Sequence, residues 1–289
     1  MTAPQVSAVL VNYNAGPELA AAVQSIADDL AGRPWEAVIV DNASSDGSAE
    51  TVTRFAPYAR VVRNRANVGF ARGVNQGLGA TRAPTVLIMN PDCRLAQGAI
   101  DLLTGELGRS EGVAIVGPRI LNPDGSVQGS ARGDPDMLTG LFGRSTALRR
   151  ALPDLAVSKR NVIAADVTGG SIEVDWVSGA CMLARRSALD RVNGFDERYF
   201  LYWEDADLCR RLRGHGYQIR YVPAATAIHR VGHSSRDGRS SAIRAFHQSA
   251  YLYYSTHVAP TASAKRLAAK VLLAARCWLK LQQSRPFLK

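Results

Sequence analysis

The 289-residue sequence has few cysteines, no long apolar run and too few acidic residues to balance its basic ones. Its four cysteines are scattered without a C-x-x-C pair, which argues against a disulfide framework or a zinc ribbon and favours a reducing cytoplasm. The first apolar run, Val6 to Val11, is too short to span a membrane and follows no basic segment, so we expect neither a signal peptide nor a transmembrane helix. Internal repeats and low-complexity segments are also missing. These absences leave an ordinary globular protein.

The basic excess gives a formal net charge of +10 and an isoelectric point near 9.8. Such a charge calls for an acidic partner, which could be nucleic acid, anionic lipid or a phosphorylated substrate. The arginines are spread along the chain except near its C-terminal end, and no RNA-binding signature accompanies them. We therefore expect no nucleic-acid partner. A non-catalytic basic module that binds RNA or membrane is kept as a distant alternative.

Apolar strand patterns alternate with helical ones in the first third of the chain, which predicts an α/β fold with a parallel sheet. The predicted strands are Val6–Tyr13, Glu36–Val40, Arg60–Val62 and Val86–Met89, with a helix from Pro17 and another after Gly47. Because parallel strands gather their following loops at one edge, Asn12, Asp41, Asp46 and Asp92 should converge on one crevice.

The tripeptide Asn90-Pro91-Asp92 ends a buried strand, because proline cannot donate to a sheet ladder. A carboxylate delivered to that crevice is well placed to hold a divalent cation, Mn²⁺ or Mg²⁺. The alternative is that the tripeptide is only a turn in which Asp92 caps a helix predicted from Leu95 to Leu107.

Two further segments carry chemistry. Residues 64–75 interleave glycine with Asn and Arg, and a helix N-terminus with Arg72 suits a diphosphate. The acidic residues Glu204, Asp205 and Asp207 fall in the first turn of a predicted amphipathic helix, where capping alone could explain them. Three carboxylates in four residues exceed what capping needs.

The run from Val174 to Leu183 alternates apolar residues around Gly179, which predicts a strand that a ligand or backbone approaches closely. Trp176 could stack on a bound ligand or be a core aromatic. Farther on, Ile219–Val222 is a predicted strand, and Asn122-Pro123-Asp124-Gly125 predicts a hairpin turn.

Taken together, four motifs resemble the successive motifs of family 2 glycosyltransferases, in particular bacterial rhamnosyltransferases of O-antigen and cell-wall linker synthesis. They are Val9-Leu10-Val11-Asn12-Tyr13-Asn14, Val40-Asp41-Asn42-Ala43-Ser44-Ser45-Asp46-Gly47, Asn67-Val68-Gly69-Phe70 and Asn90-Pro91-Asp92. The resemblance covers roughly the first 230 residues and implies a GT-A fold and a nucleotide-sugar donor. It also implies a metal bound by a D-x-D-type motif, of which this chain keeps Asp92 and replaces the first acid by Asn90.

The resemblance also assigns roles to single residues. Nucleotide-sugar binding falls to Val11, Asn12, Tyr13, Asp41, Asn67, Gly69, Arg72, Asn75 and Asn90, and Asp46 is a weaker candidate that also suits a turn. Metal binding falls to Asp92 and His229, with His233 second. Asp205 would be the catalytic base, although spacing alone admits Glu204. Acceptor binding falls to Trp176, Gly179 and Trp203.

The last segment predicts a basic amphipathic helix. At about 100° per residue, Lys265, Arg266, Lys270, Arg276 and Lys280 share an arc of roughly 140°, with Leu267, Val271, Trp278 and Leu281 opposite. Such a helix could lie on an anionic membrane surface, or pack on the domain with its charged face in water. We divide the chain into a GT-A domain, 1–257, with a nucleotide-sugar half at 1–95 and an acceptor half at 96–257, and a tail at 258–289.

The expected function is metal-dependent, inverting transfer of a sugar, L-rhamnose from dTDP-rhamnose, to a saccharide hydroxyl on a polyprenyl diphosphate. The enzyme would act at the cytoplasmic face of the plasma membrane in cell-wall or surface polysaccharide synthesis. The alternative is a UDP- or GDP-hexose donor or a non-lipid acceptor on the same fold. Nothing in the sequence predicts an oligomeric state.

Overall fold

A nine-stranded sheet with helices on both faces forms the framework of the computed structural model, which describes residues 3–55, 57–134, 169–230 and 239–284. The strands are β1 (Val6–Asn12), β2 (Trp35–Asp41), β3 (Ala59–Arg63), β4 (Thr85–Met89), β5 (Cys93–Leu95), β6 (Val113–Leu121), β7 (Ala131–Arg132), β8 (Ile172–Val174), β9 (Trp176–Val177), β10 (Cys181–Arg185) and β11 (Gln218–His229). The helices are α1 (Pro17–Asp29), α2 (Phe70–Ala80), α3 (Ala99–Leu107), α4 (Arg186–Arg191), α5 (Glu204–Gly214), α6 (Arg239–Tyr253) and α7 (Ala264–Ser284).

The sheet order is β3-β2-β1-β4-β10-β6-β11-β5, with β8 paired to β11, and β7 and β9 form a separate ribbon. The first four strands are parallel, β10 runs antiparallel to both neighbours, and β6 and β11 are parallel again. The predicted α/β fold with a mostly parallel central sheet is confirmed. Strands β1, β2 and β4 therefore end at one edge, where their loops meet.

Both faces of the sheet are buried, which explains why the sequence of β1 is almost continuously apolar. Alternate residues point to opposite faces, so Leu10 joins the core under α1 and α3, whereas Val9 joins the core under α2 and α5. Helix α2 approaches so closely that a Cβ on Gly73 would lie 2.9 Å from a Val11 methyl group. This packing fixes the start of α2 above the end of β1.

Two predicted elements were wrong in extent. The helix predicted from Leu95 begins at Ala99, because Cys93–Leu95 pairs with β11 and the Asp29 carboxylate accepts the first N–H groups of α3, with Ile100 at 2.7 Å. The helix predicted after Gly47 is present as the 3₁₀ helix Ser48–Phe55.

The second element of wrong extent is the strand predicted at Ile219–Val222, which continues to His229. Its register with β6 shifts between Val222 and Thr226, around a proline that has no N–H to donate. This irregularity hid the second half of β11 from the sequence pattern, although that half carries His229 to the crevice.

The C-terminal segment forms α7, which packs along α6, and a π-helical turn, Tyr254–Val258, precedes it. None of the helices in the described ranges combines the length and hydrophobicity needed to cross a bilayer. The predicted boundary between a domain at 1–257 and a tail stays a prediction.

Candidate active site

The loops after β1 and β2 are joined by buried hydrogen bonds. Asn12 is fully buried, and its Nδ2 donates to Asp41 Oδ1 at 2.8 Å and to Ser48 Oγ at 2.8 Å. Ser44 Oγ accepts the Asn14 N–H at 3.0 Å, while Asn14 Oδ1 accepts the Ser45 N–H at 2.8 Å. The two loops therefore form one surface at the end of the sheet.

The glycine-containing segment lies beside this surface. Asn42 Nδ2 donates to Asn67 Oδ1 at 3.2 Å and to the Gly69 carbonyl at 3.1 Å, and Asn67 Oδ1 also accepts the Gly69 N–H. Gly69 has φ +88°, and a Cβ there would lie 2.5 Å from the Phe200 carbonyl oxygen, which accepts the Phe70 N–H at 2.7 Å. Only glycine fits this backbone approach, which ties the start of α2 to the loop before α5.

Asp92 and His229 meet at the end of β4. His229 Nε2 lies 3.1 Å from Asp92 Oδ1 and 3.3 Å from Asn90 Nδ2. On its other side, His229 Nδ1 lies 3.0 Å from Gln128 Oε1, and Gln128 Nε2 donates to the His229 carbonyl at 2.8 Å. Because the amide orientation of Gln128 is set by that donor bond, its oxygen requires a proton on Nδ1.

This hydrogen-bond pattern has a consequence for Asp92. With Nδ1 bonded to Gln128, the Nε2 atom of His229 faces the Asp92 carboxylate and the Asn90 amide. An imidazole nitrogen and a carboxylate oxygen 3.1 Å apart can both be directed at one cation. The pair is therefore a candidate for binding a cation.

A turn at Gly179 connects this end of the site with the acidic cluster. The Gly179 N–H donates to Asp205 Oδ2 at 2.9 Å, and the adjacent Ala180 carbonyl accepts the Asn90 N–H at 2.9 Å. The predicted single strand around Gly179 was wrong, because the glycine lies in the turn between β9 and β10. The close approach predicted at Gly179 is present, because a Cβ added to this glycine would lie 3.4 Å from Asp205 Cβ.

Glu204 and Asp205 have different environments despite being adjacent. Asp205 is half-buried and hydrogen-bonded to the Gly179 N–H, whereas Glu204 is buried and its Oε2 has no hydrogen-bond partner among the described residues. Burial, together with the nearby Asp205 and Asp207 carboxylates, raises the pKa of Glu204 well above its usual range. Burial therefore favours the neutral form of the Glu204 carboxyl, whereas Asp205 is the more accessible of the two acids.

Asp207, the third acid, is used inside the fold. Its carboxylate is buried and binds Arg211 Nε at 2.7 Å and His257 Nε2 at 2.6 Å. These contacts join α5 to the π-helical turn after α6. Asp207 therefore has a structural role.

The residues before α5 adopt an unusual backbone. Tyr202 and Trp203 both have positive φ, at 69° and 71°, which costs free energy in non-glycine residues. The Trp203 ring packs on α6, with ring centroids 5.3 Å from Tyr253 and 5.9 Å from Phe246. These contacts hold the conformation that presents Asp205 to the crevice.

Most of the chain matches two glycosyltransferase family models. The model of glycosyl transferase family 2 matches residues 7–162, and that of glycosyl transferase family group 2 matches residues 157–254. This chain belongs to glycosyltransferase family 2. A relative in Mycobacterium tuberculosis, N-acetylglucosaminyl-diphospho-decaprenol L-rhamnosyltransferase, is 34% identical over 261 residues, which are 85% of this chain and 82% of the relative.

Solved structures of glycosyltransferases share the fold. A mannosyltransferase from Pyrobaculum calidifontis, PcManGT in complex with GDP-Man and Mn²⁺, gives a TM-score of 0.59 at 17% identity, covering 96% of this chain and 70% of that one. GalNAc-T7 with UDP, GalNAc and Mn²⁺ gives 0.61 at 16% identity, covering 97% and 57%. The predicted GT-A fold of this glycosyltransferase is confirmed.

Several predicted donor-site residues of the glycosyltransferase lie at the sheet edge, but some point into the protein. Tyr13 is exposed there, whereas Asn12 and Asp41 are buried and bonded to each other. The Asn75 side chain is hydrogen-bonded to the Phe195 backbone. Its Nδ2 donates to the carbonyl and its Oδ1 accepts the N–H, both at 2.9 Å. Arg72 is exposed, and its side chain lies 3.7 Å from a Glu197 carboxylate oxygen. Val11 packs beneath α2. The donor-binding roles stay predictions.

Other predictions have clear outcomes in the geometry. Asp92 does not cap α3, which begins seven residues later. Asp46 has the turn role that the sequence also allowed: it accepts the N–H groups of Gly16 at 2.7 Å and Ser48 at 3.0 Å. Trp176 is buried in the core and donates to the Gly133 carbonyl at 2.9 Å, as the core alternative predicted. His233 lies outside the described residues.

Sequence reasoning missed two residues of this region. Gln128 reaches His229 because the hairpin at Asn122–Gly125 turns the chain back along β6, where the Gln128 N–H donates to the Ile120 carbonyl. Glu18 of α1 is buried and binds Arg94 at 2.8 Å and Arg230 at 3.3 Å, which fixes the segments that follow Asp92 and His229. The hairpin signal could have suggested Gln128, whereas nothing in the pattern suggests Glu18.

The donor set fits a divalent cation that binds together with a diphosphate. Asp92 and His229 supply a carboxylate oxygen and an imidazole nitrogen, which suit Mn²⁺. Within the described ranges, no group of three or more His, Cys, Asp or Glu side chains forms a metal cage. Two protein ligands leave coordination positions for phosphate oxygens and water.

Proposed function

We propose that this glycosyltransferase moves L-rhamnose from dTDP-rhamnose to a hydroxyl of a saccharide carried on a polyprenyl diphosphate. The Mycobacterium tuberculosis relative, whose name states an L-rhamnosyltransferase acting with a diphospho-decaprenol-linked sugar, supports the donor sugar and the acceptor class. The excess of basic residues suits a substrate that carries phosphates. We place the reaction at the cytoplasmic face of the plasma membrane, in cell-wall or surface polysaccharide synthesis.

The observation that carries the proposal is the turn at Gly179–Ala180. Its two neighbouring peptide groups hold Asp205 on one side and Asn90, two residues before Asp92, on the other. The residue proposed as the base and the strand end that carries Asp92 are thereby hydrogen-bonded to the same turn. Direct transfer needs this arrangement, because the nucleophile and the leaving group act on opposite sides of the anomeric carbon.

The reaction follows from these positions. Asp205 takes the proton of the acceptor hydroxyl as its oxygen forms a bond to the anomeric carbon. The bond from that carbon to the diphosphate oxygen breaks, and the nucleotide diphosphate leaves with the electron pair, which inverts the configuration. A cation held by Asp92 and His229 would stabilise the charge of the leaving diphosphate. Asp205, rather than Glu204, is the base, because Asp205 is half-buried beside the Gly179 turn whereas the Glu204 side chain is buried in the protein.

Calorimetric titration of dTDP, UDP and GDP into the purified protein, with and without Mn²⁺, tests the donor site. We expect metal-dependent binding of dTDP that is lost in Asp92→Ala and kept in Asp190→Ala, which removes an exposed carboxylate on α4. Tighter binding of UDP or GDP than of dTDP would show that the donor carries a different nucleotide base from the one proposed. No binding of any nucleotide would refute the donor site.

A transfer assay with dTDP-rhamnose and a polyprenyl-diphosphate-linked N-acetylglucosamine then tests sugar and acceptor. Product with an inverted anomeric centre is expected. Release of dTDP without glycosylated lipid would show that the acceptor is wrong while leaving the donor site intact.

A further inference from the structure

The orientation of α7 differs from the sequence expectation. Its buried residues, Ala269 and Leu273, lie within the basic arc of the helix. The Arg276 guanidinium lies 5.9 Å from the Phe246 ring centroid, and the Lys270 ammonium lies 6.0 Å from that of Tyr251, both on α6. The middle of the basic arc therefore packs on the protein, whereas Lys265 and Lys270 at its two edges are exposed to solvent.

The opposite side of α7 is apolar and exposed. The exposed fractions of its large side chains are 65% for Leu267, 59% for Val271, 48% for Leu272, 60% for Trp278 and 52% for Leu279. Ala268 and Ala275 are exposed between them. From residue 267 to 279 this outward face is about 18 Å long, at 1.5 Å per residue. An apolar face of this size on a helix surface needs a partner.

The charge around this face selects the partner. Residues 239–289 contain nine Lys and Arg and no Asp or Glu, so this segment carries nine of the ten net positive charges of the chain. Lys265 and Lys270 are exposed. At 3.6 residues per turn they lie at the two edges of the apolar face. A second copy seated on the same face would bring like charges together, whereas anionic phosphate headgroups match them.

We propose that the outward face of α7 seats on an anionic lipid bilayer, with Leu272, Trp278 and Leu279 entering the headgroup region and the flanking lysines on lipid phosphates. Tryptophan is favoured at this depth because its ring is apolar and its N–H is polar. An interfacial helix needs an apolar side and basic flanks but not spanning length.

The docked helix would lie close to the acceptor side of the crevice. Phe246 lies between Arg276 of α7 and Trp203, which directly precedes the acidic turn of α5. A lipid surface under α7 would thus lie near the place where a lipid-linked acceptor enters. The docking surface does not depend on the proposed donor or acceptor, so a failed nucleotide titration would leave it unaffected.

Flotation of the full chain with vesicles tests the proposal. We expect the protein to float with vesicles of phosphatidylcholine and phosphatidylglycerol and not with phosphatidylcholine alone. The double variant Leu272→Ser with Trp278→Ser should bind the anionic vesicles at least about tenfold more weakly. The matched control is Leu102→Ser, an exposed leucine on α3, which should bind like the wild type.

A second pair of variants tests the charge. Lys265→Glu should weaken binding to anionic vesicles, whereas Arg191→Glu, an exposed charge on α4, should not. Equal binding to neutral and anionic vesicles, or wild-type binding by the serine double variant, would overturn the proposal. So would a dimer, detected by light scattering, that the double variant dissociates, because a second copy would then cover the face.

Discussion

The assignment of Asp205 as the base leads to a quantitative prediction for the conservative variant Asp205→Asn. The amide oxygen can still accept the Gly179 N–H that now lies 2.9 Å from Asp205 Oδ2, so the turn should keep its place. The amide cannot accept the acceptor's proton, and a positioned base contributes about 10²- to 10⁴-fold. We expect kcat to fall by that factor, which is about 3–5 kcal/mol in the activation free energy. Nucleotide affinity, measured by calorimetry, should not change.

Glu204→Gln is the matched comparison, because it makes the same chemical change one residue away. The Glu204 carboxyl is buried away from the crevice and burial favours its neutral form, so kcat should stay within about threefold of wild type. Its raised pKa also affects stability: between the unfolded and folded pKa values the native state holds the extra proton, so the free energy of unfolding falls as pH rises. The fall is up to about 1.4 kcal/mol per pH unit in that window. The variant should lose this dependence.

The assay is transfer rate at saturating donor, together with urea unfolding of both variants from pH 5 to pH 9. Loss of activity in Glu204→Gln equal to that in Asp205→Asn would refute the separation of roles. A wild-type unfolding free energy that rises with pH in step with the variant's would refute the raised pKa of Glu204.

Three other changes have expected outcomes. Gly69→Ala places a Cβ against the Phe200 carbonyl at φ +88° and should lower the free energy of unfolding by about 1–3 kcal/mol in urea; unchanged stability would contradict the close approach. Gln128→Leu frees the His229 ring and should weaken Mn²⁺-dependent nucleotide binding by about 10- to 100-fold in calorimetry, with metal-free binding as the control. Asp207→Ala removes a buried carboxylate that binds the half-buried Arg211 and His257 side chains and should cost about 1–3 kcal/mol in the same unfolding assay; unchanged stability would exclude its structural role.

Local sequence patterns predicted the strands and helices whose signals come from neighbouring residues. The strand β1 and the helix from Pro17 follow from an apolar run and a proline at a helix start, which depend on neighbouring residues alone. The extent of α3 could not be predicted, because its start is capped by Asp29 from another helix. The second half of β11 was hidden by the irregularity after Val222.

The same limit applies to the candidate site. The sequence placed Asp92 at a strand end, but its contact with His229 depends on the pairing of β5 with β11, 130 residues apart in the chain. Spacing could not separate Glu204 from Asp205, since adjacent acids differ only once burial and the Gly179 turn are known.

The sequence by itself determined the fold class, the family and the order of the polar strand ends, because these depend on periodicity and on motifs of adjacent residues. Only the tertiary structure decided which carboxyl is buried, which side chain orients His229, and which side of α7 faces water. The wheel of α7 separated a basic side from an apolar one correctly. It could not show that basic side chains of α7 would pack on the aromatic rings of α6, because this packing depends on contacts between different segments of the chain.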